Sequence, residues 1–313
     1  MNTSDQPVRV AIQGIHGSFH HEATIMYFGT EAELKTCLSF KNLIQLVSKG
    51  EASHGIMAVE NSLAGSMLPN LSLVRESGLN ISGEIYMRIS QNLMALPNQS
   101  IQQINEVHSH PLAIAQCEAF FEKHPHIRPV ETTDTALSAK ELATSKQKGT
   151  AVIGAVSAAH LYGLNIMCHS IETSQENYTR FLLLEKQATG FTSTGKVKAC
   201  LAFTIPNKPG SLASVLGSLA RQNADLSMIQ SLPLVGQSWE YIFHADMIFP
   251  TLAMAKSTIG ALADEFDRTW LMGVFPVTEG LGTAQQPKEP HFKHTLTPGF
   301  TNQLQTTNEQ SIC

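Results

Sequence analysis

Metal-binding and disulfide patterns are missing from this sequence. Its five cysteines are scattered over 313 residues, and none of them forms a C-x-x-C pair, the spacing typical of zinc sites and redox-active thiols. His16 and His20 are four residues apart and His21 follows, but histidines in a first helical turn are far commoner on a surface than around a metal. We therefore expect neither a metal ion nor a disulfide framework.

Long apolar runs and basic stripes are missing as well. No stretch reaches the roughly 18 apolar residues of a membrane-spanning helix, and the polar first residues lead into a strand-like run without a signal segment. The formal net charge is −5 and charged residues make up 15% of the chain. Because lysine and arginine form no cluster, we expect no nucleic-acid partner. The expected protein is cytoplasmic and does not bind membranes.

Nucleotide fingerprints and internal repeats are also absent. The turn "GIHGSF" does not match G-x-G-x-x-G, and no Walker-type lysine occurs. We therefore expect no nucleotide cofactor. What the chain does contain is an apolar fraction of 42%, which is enough to bury sizeable cores, and a length that favours two or three domains.

Strand-like and helix-like segments alternate from residue 8 to residue 185, which is the pattern of a parallel sheet covered by helices. A small polar segment, "TGFTSTGK", follows and reads as a linker. Residues 196–280 then show the order βαββαβ, which is typical of an antiparallel sheet with helices on one face. Residues 281–313 are polar and lack periodicity, so we expect them to be loosely ordered.

Three segments share one design, in which an apolar strand runs into small polar residues that begin a helix. They are "AIQGIHGSF", "GIMAVENSLAGS" and "VETTDTALSA". In open α/β sheets, ligands bind beyond the carboxyl ends of strands, where helix N-termini present free N–H groups. Ser62 and Asp134 could instead be simple N-caps. Three such ends together favour a shared cleft that binds a carboxylate.

The segment "QENYTRFLLL" places Thr179 and Arg180 just before an apolar strand. A buried arginine needs an anionic partner. That partner could be internal, either Glu60 or Glu176, or it could be the carboxylate of a ligand. A threonine hydroxyl is a poor acid, but it can protonate a departing hydroxide where the transition state is electrostatically prepared. The residues alone leave these alternatives open.

Six segments occur in the order found in the prephenate dehydratase family, and together they resemble it over roughly residues 8–186. They are "GIHGSFHHEA", "VENSLAGS", "SHPLAIAQC", "DTALSAK", "AAHLYGL" and "NYTRFLLL". A later segment, "NKPGSLASVLGSLA", resembles the ACT regulatory module that commonly follows this catalytic unit.

The resemblance implies a two-lobed α/β catalytic domain with an interlobe cleft, like that of periplasmic binding proteins. This domain would span residues 1–188, with the first lobe at about 1–80 and 170–188 and the second at about 81–169. An α+β ACT domain of order βαββαβ would span residues 196–280, and 281–313 would form the tail.

The resemblance also implies a reaction and its residues. Prephenate would lose water and carbon dioxide to give phenylpyruvate, in phenylalanine biosynthesis, without cofactor or metal. Thr179 would protonate or hold the leaving hydroxyl, and Arg180 would neutralise a carboxylate. The other implied substrate-binding residues are Ser18, Asn61, Ser62, Gly65, Ser66, Ser109, Thr135, Asn177 and Phe181. For Phe181, a place in the core is the favoured interpretation.

By the same resemblance, phenylalanine would be a feedback effector bound between two ACT domains of a homodimer or homotetramer. The implied effector residues are Pro209, Gly210, Ser211, Leu212, Asp225 and Leu226. The chain has Gln230 and Leu232 where the family has a charge pair, so the identity of the effector stays open. The alternatives in function are an arogenate dehydratase and a non-catalytic sensor that binds an amino acid or another carboxylate.

Overall fold

Three sheets organise the part of the chain that can be described. The computed structural model describes residues 7–277 apart from 189, 235, 237–239 and 263–264, and the tail expected at 281–313 lies outside this part. Two sheets form the lobes of an N-terminal unit, and the third belongs to a C-terminal unit. No helix of the described residues combines the length and apolar character needed to cross a bilayer.

The first lobe is built on a six-stranded sheet. Its strands are β1 (Arg9–Gln13), β2 (Glu33–Cys37), β3 (His54–Asn61), β4 (Gly65–Ser66), β5 (Asn80–Arg88) and β11 (Tyr178–Glu185). Its helices are α1 (Phe19–Phe28), α2 (Phe40–Ser48) and α3 (Leu68–Ser77). The strand order is β2-β1-β3-β11-β5, with β4 paired to β3. Strand β1 is parallel to both neighbours, whereas β11 is antiparallel to β3 and β5 because it returns from the second lobe.

The second lobe is built on a five-stranded sheet with the order β10-β6-β9-β7-β8. Its strands are β6 (Asn92–Ala95), β7 (Glu106–Ser109), β8 (Arg128–Glu131), β9 (Thr150–Gly154) and β10 (Asn165–Cys168). Its helices are α4 (Pro111–Gln116), α5 (Glu118–Lys123), α6 (Thr135–Ser145) and α7 (Val156–Tyr162), with a short 3₁₀ turn at Ile101–Gln103. The chain passes between the lobes at residues 89–91 and 169–177. Because β5 pairs with β11 in the first sheet, the first crossing follows Arg88, later than the boundary near residue 81 expected from the sequence.

The side chains of β11 alternate between the two faces of the first sheet, as the pleat of a strand requires. Phe181 and Leu183 join the core beneath α1, and Leu182 and Leu184 join the core on the opposite face. Nothing in the local sequence indicates which face of the sheet each of these residues takes. Because of this alternation, the two residues that precede Phe181, Thr179 and Arg180, face opposite sides of the sheet and have different surroundings.

The C-terminal unit has the order βαββαβ that the sequence predicts. It consists of β12 (Val197–Thr204), α8 (Ser211–Arg221), β13 (Asp225–Pro233), β14 (Tyr241–Phe249), α9 (Leu252–Ala261) and β15 (Arg268–Pro276). The four strands form an antiparallel sheet in the order β13-β14-β12-β15. One face of the sheet packs against α8 and α9 around Leu201 and Phe203. The other face packs on the first lobe, where Cys200, Ile242 and Met272 share a core with it.

The two units approach most closely at Gly273 of β15. A Cβ atom added there would lie 2.1 Å from the carbonyl oxygen of Ile81 in β5, which is far inside van der Waals contact. Only a residue without a side chain therefore lets these two strands cross. The closeness of this crossing explains why the sheet of the C-terminal unit is held directly against the sheet of the first lobe.

We predict that Gly273→Ala destabilises the protein by about 1–3 kcal/mol, the usual cost of overpacking a well-packed interior. The expected result is a lower Tm in thermal unfolding. Gly260→Ala is the matched control, because Gly260 lies in the last turn of α9 and an added Cβ there would meet no described neighbour within 4 Å. Equal Tm values for the two variants would contradict the close crossing.

His244 lies on the face of β14 that packs against the first lobe. It is fully buried, and neither of its ring nitrogens has a hydrogen-bond partner among the described residues. The pKa of His244 is lowered to about 4, chiefly by burial and also by the nearby Arg75, while Asp246 partly opposes these effects. The ring is therefore neutral in the folded protein at neutral pH.

We predict that His244 makes the protein less stable in acid. In the unfolded chain a histidine titrates near pH 6.5, so between about pH 6.5 and 4 only the unfolded state binds the proton, and stability falls as the pH falls. His244→Leu should reduce the loss of stability between pH 8 and pH 5 by about 2 kcal/mol. Urea unfolding at both pH values measures this, and the exposed His126→Leu is the control. An unchanged pH dependence would contradict the prediction.

Candidate active site

Asn61 and Thr179 form the centre of the candidate site, at the ends of β3 and β11. They are cross-strand partners, and the Asn61 Nδ2 donates to the Thr179 Oγ1 at 3.0 Å and to the Asn177 Oδ1 at 2.7 Å. The Asn61 Oδ1 accepts from the backbone N–H groups of Leu63 and Ala64 at 3.0 and 2.9 Å. These two backbone donors determine the orientation of the Asn61 amide, so its NH₂ group points at the threonine hydroxyl.

The hydroxyl of Thr179 is prepared to donate a proton. Thr179 is 5% exposed, and its Oγ1 accepts a hydrogen bond from Asn61. Within the described residues, no side chain or carbonyl accepts the proton of this hydroxyl. A hydroxyl that accepts one hydrogen bond is polarised and becomes a better donor for a second. The geometry thus leaves the proton available to a bound molecule.

A row of amide side chains continues from Asn61 into the second lobe. The Asn177 Nδ2 and the Gln91 Nε2 both donate to the Gln116 Oε1 at 3.1 Å. Asn177 and Gln91 lie on the two crossing segments, and Gln116 ends α4. The Gln91 Oε1 is buried without a partner among the described residues, which leaves an acceptor for a donor from a ligand or water. Gln91 and Gln116 were not predicted from the sequence, although Gln116 lies inside the motif "SHPLAIAQC".

Ser62 joins the loop after β3 to the second crossing segment. Its Oγ donates to the carbonyl oxygen of Glu176 at 2.8 Å and accepts from the N–H of Tyr178 at 2.9 Å. Ser62 therefore caps no helix, in contrast to Asp134, whose Oδ1 accepts from the N–H of Leu137 at the start of α6. The helix after Ser62 is α3, which begins without a side-chain cap. Gly65 and Ser66 form β4, which folds back on the end of β3.

A cavity of about 290 Å³ opens between the loop after β3, helix α4 and the second crossing segment. It is lined by Leu63, Ala64, Leu112, Ala115, Gln116, Glu118, Thr173 and Ser174. Gln116 connects this cavity to the amide row, and Glu118 is the charged residue of the lining. No cation contributes to it among the described residues. A carboxylate bound here would be held by neutral donors and backbone N–H groups.

Three predicted substrate-binding residues lie outside the group around Asn61. Ser18 is the N-cap of α1 and its Oγ accepts from the N–H of His21 at 3.3 Å. Thr135 is the first residue of α6. The buried Ser109 donates to the carbonyl oxygen of Ile153 at 2.8 Å, so its hydroxyl holds β7 against β9 and is not offered to a ligand.

Phe181 is a core residue, as the favoured interpretation of the sequence had it. It is 1% exposed and its ring meets the edge of the His20 ring, with 5.1 Å between the ring centroids. Burial lowers the pKa of His20 to about 4, and the neutral ring accepts from the N–H of Ala58 through Nε2 at 3.4 Å. His20 is thus part of the packing, and the described residues hold no cluster of ligands suited to a metal ion.

Arg180 points away from the Thr179 hydroxyl, because successive side chains of β11 take opposite faces of the sheet. Its Nε and Nη2 each lie 2.8 Å from the Glu84 Oε2, and its Nη1 lies 2.5 Å from the Asp246 Oδ2 of the C-terminal unit. Glu60 is more distant, at 3.8 Å. The partner of Arg180 is therefore internal, and the structure does not bring its guanidinium to a substrate carboxylate beside Thr179.

Two α/β lobes joined by two chain crossings, with a polarised hydroxyl and a row of amides at the junction, define a two-lobed protein with a candidate binding site between its lobes. The chain belongs to the prephenate dehydratase family, whose sequence profile matches residues 10–189. This range covers both lobes and ends just after β11.

Known proteins of similar sequence and structure agree with this assignment. The bifunctional chorismate mutase/prephenate dehydratase of Aquifex aeolicus is 32% identical over 244 residues, which are 78% of this chain and 66% of that protein. The chain thus spans slightly less than two thirds of this relative.

Solved structures resemble both the lobes and the C-terminal unit. The prephenate dehydratase of Arthrobacter aurescens in complex with L-Phe has a TM-score of 0.79 and 26% identity, covering 86% of this chain and 90% of that one. GqqA, described as a novel type of quorum quenching acylase, has a TM-score of 0.78 and 26% identity, covering 87% and 98% of the two chains. The same overall fold therefore occurs with two described activities.

Proposed function

We propose that this protein catalyses the decarboxylating dehydration of prephenate to phenylpyruvate in phenylalanine biosynthesis, as the family assignment implies. The observation that carries the proposal is the Thr179 hydroxyl, which accepts from Asn61 and whose own proton has no acceptor in the described part of the chain. In the reaction, the bond to the ring carboxylate breaks and carbon dioxide leaves. The electron pair of that bond completes the aromatic ring and expels the ring hydroxyl, which takes up a proton to become water.

Thr179 supplies that proton in the proposed mechanism, or holds the hydroxyl in line to leave. Asn61 stabilises the negative charge that develops on the threonine oxygen, since its NH₂ group already points there. General-acid help of this kind contributes about 10²–10⁴-fold to the rate. Because formation of the aromatic ring drives the loss of carbon dioxide, the proposed reaction needs no electron sink.

The carboxylates of the substrate are assigned to neutral donors. Ser18 and Thr135 lie at the N-termini of α1 and α6, where free N–H groups and the helix dipole favour an anion. Ser62, Gly65 and Ser66 shape the loop that holds Asn61. Arg180 is not assigned to a substrate carboxylate, because its guanidinium pairs with Glu84 and Asp246. Ser109 is not assigned to one either, because its hydroxyl donates to the carbonyl oxygen of Ile153.

Turnover of prephenate by the purified full chain tests the proposal. The assay measures phenylpyruvate formation, and we expect saturable turnover without added metal or cofactor. A well-folded preparation without turnover would overturn the proposal and favour a sensor. Release of an acyl group from an acylated amine, without turnover of prephenate, would favour the activity described for GqqA.

Arogenate dehydratase is the second candidate, and one observation favours it. Arogenate carries an amino group on its side chain, and Glu118 is the charged residue of the cavity lining, suited to an ammonium group. Comparison of kcat/KM for arogenate and prephenate discriminates between the candidates. Under the arogenate hypothesis, Glu118→Gln lowers kcat/KM for arogenate and leaves that for prephenate.

We also propose that the C-terminal unit, residues 196–280, is an ACT domain that binds phenylalanine. A cavity of about 100 Å³ lies there, lined by Ile205, Pro206, Asn207, Lys208, Ser211, Leu212, Tyr241 and Phe243. Lys208 and the N-terminus of α8 suit a carboxylate, and Tyr241 and Phe243 suit an aromatic ring. Pro209 and Gly210 belong to the same turn.

The effector cavity is smaller than the roughly 300 Å³ of a typical ligand site, which supports its completion by a second copy in a homodimer or homotetramer. Asp225 and Leu226 begin β13, an edge strand, and are assigned to that interface. We expect phenylalanine to lower turnover of prephenate. Unchanged turnover together with no binding of phenylalanine in calorimetry would contradict the effector proposal. The cytoplasmic location expected from the sequence belongs to the same set of proposals.

A further inference from the structure

Four charged side chains form a continuous chain of ion pairs between the two units. Lys198 of β12 contacts Glu84 of β5, with 2.5 Å between Nζ and Oε1. Glu84 in turn contacts Arg180, and Arg180 contacts Asp246 of β14 at 2.5 Å. We call the set Lys198, Glu84, Arg180 and Asp246 the interdomain ion chain.

The interdomain ion chain is buried and is shared equally between the units. The side chains are 2%, 9%, 3% and 2% exposed in the order Lys198, Glu84, Arg180, Asp246. Each unit supplies one cation and one anion, so the set carries no net charge, and the Lys198–Glu84 and Arg180–Asp246 pairs form only when the units are docked. Buried ion pairs contribute little net stability because both charges lose their hydration, but they can specify one geometry. The interdomain ion chain is therefore suited to fixing the position of the C-terminal sheet relative to the sheet of the first lobe.

Arg180 links the interdomain ion chain to the candidate active site. It follows Thr179 directly on β11, and the pairing of β11 with β3 shifts register between Arg180 and Phe181. Thr179 and Asn61 lie beyond this irregularity, at the end of the strand. Irregular pairing of this kind sets the direction of nearby side chains and occurs next to active sites. The position of the Thr179 main chain thus depends on what holds the Arg180 side chain.

We propose that Asp246 is a positioning residue for the reaction, which places the Thr179 hydroxyl by holding the Arg180 guanidinium from the C-terminal unit. Lys198 supports it by holding Glu84 on the other side. The inference rests on the proposed function of Thr179 and assigns to the C-terminal unit a part in the basal reaction. The same strand, β14, carries Tyr241 and Phe243 at the effector cavity, so a ligand there acts on the strand that bears Asp246.

The first test compares Asp246→Asn with Asp246→Glu in the full chain. We expect Asp246→Asn to lower kcat for prephenate about 10–100-fold, since small misplacements of a reacting group have effects of this size. KM should stay within about threefold, because the lost interaction acts mainly in the transition state. Asp246→Glu should recover part of the rate, and the exposed Asp267→Asn should match the wild type. An unchanged kcat in Asp246→Asn overturns the inference.

The double variant Asp246→Asn/Lys198→Met separates positioning from stability. Asp246→Asn leaves one buried positive charge in excess, and the added Lys198→Met makes the set neutral again. We expect the double variant to recover thermal stability but not kcat. If kcat recovers together with stability, the role of Asp246 is structural only and the inference is overturned.

A spectroscopic readout makes the inference independent of turnover. The γ-methyl NMR signal of Thr179 can be assigned by its loss in Thr179→Ser. We expect this signal to shift in Asp246→Asn and in the double variant, and to stay in place in Asp267→Asn. An unmoved signal overturns the inference. A wild type without prephenate turnover overturns the proposed function instead, whatever the methyl signal does.

Discussion

Replacing Thr179 by valine will lower kcat for prephenate by about 10²–10⁴-fold, the usual contribution of a positioned proton donor. Valine has nearly the shape of threonine but no hydroxyl, so packing against the strand is kept while the proton is lost. KM should change little, because the hydroxyl acts when the leaving group develops charge, and steady-state kinetics on the purified variant measures both constants.

Thr179→Ser is the matched control, because serine keeps the hydroxyl beside the Asn61 amide. We expect it to retain most of the activity, and its fold should match that of Thr179→Val in circular dichroism. Full turnover by Thr179→Val would show that the hydroxyl neither donates the proton nor orients the leaving group. The proposed role of Asn61 would then lose its basis as well.

Replacing Arg180 by methionine will destabilise the protein by about 3–5 kcal/mol, the cost of breaking a buried ion pair. Methionine leaves Asp246 buried without its cation, whereas Glu84 still has Lys198 at 2.5 Å. Chemical denaturation at neutral pH measures the loss. Arg128→Met is the control, because Arg128 is 70% exposed where it pairs with Glu106, and a surface pair of this kind contributes about 0–1 kcal/mol.

The double variant Arg180→Met/Asp246→Asn should regain much of this stability, since it removes the uncompensated carboxylate together with the guanidinium. Similar losses for Arg180→Met and Arg128→Met would contradict the buried ion pairs. A large rise in KM without a loss of stability would instead restore the role suggested by the sequence, in which Arg180 neutralises a carboxylate of the substrate.

The sequence was most informative where function depends on local patterns. The segments "VENSLAGS" and "NYTRFLLL" pointed to Asn61, Asn177 and Thr179, which the structure joins in one hydrogen-bonded group. They also pointed to Ser62, whose hydroxyl bonds to the neighbouring backbone of Glu176 and Tyr178. The alternation of strands and helices predicted the α/β unit and the βαββαβ unit. These features are readable because backbone periodicity and short motifs are properties of neighbouring residues.

The surroundings of Arg180 could not be predicted from local patterns. In the sequence it stands beside Thr179, and the two were expected to act on one substrate. In the structure the pleat of β11 turns them to opposite faces, and the Arg180 face is covered by a sheet that begins at Val197. Gln91 and Gln116 were missed for a related reason, since nothing near them in the sequence shows that chain crossings bring them together.

The amino-acid sequence by itself determined the family, through its ordered motifs, and the order of the elements, because short motifs and backbone periodicity are properties of neighbouring residues. Only the tertiary structure decided which charges meet. The docking of the C-terminal sheet buries Arg180 and supplies Asp246, 66 positions further along the chain, and no local pattern encodes a pairing across that distance.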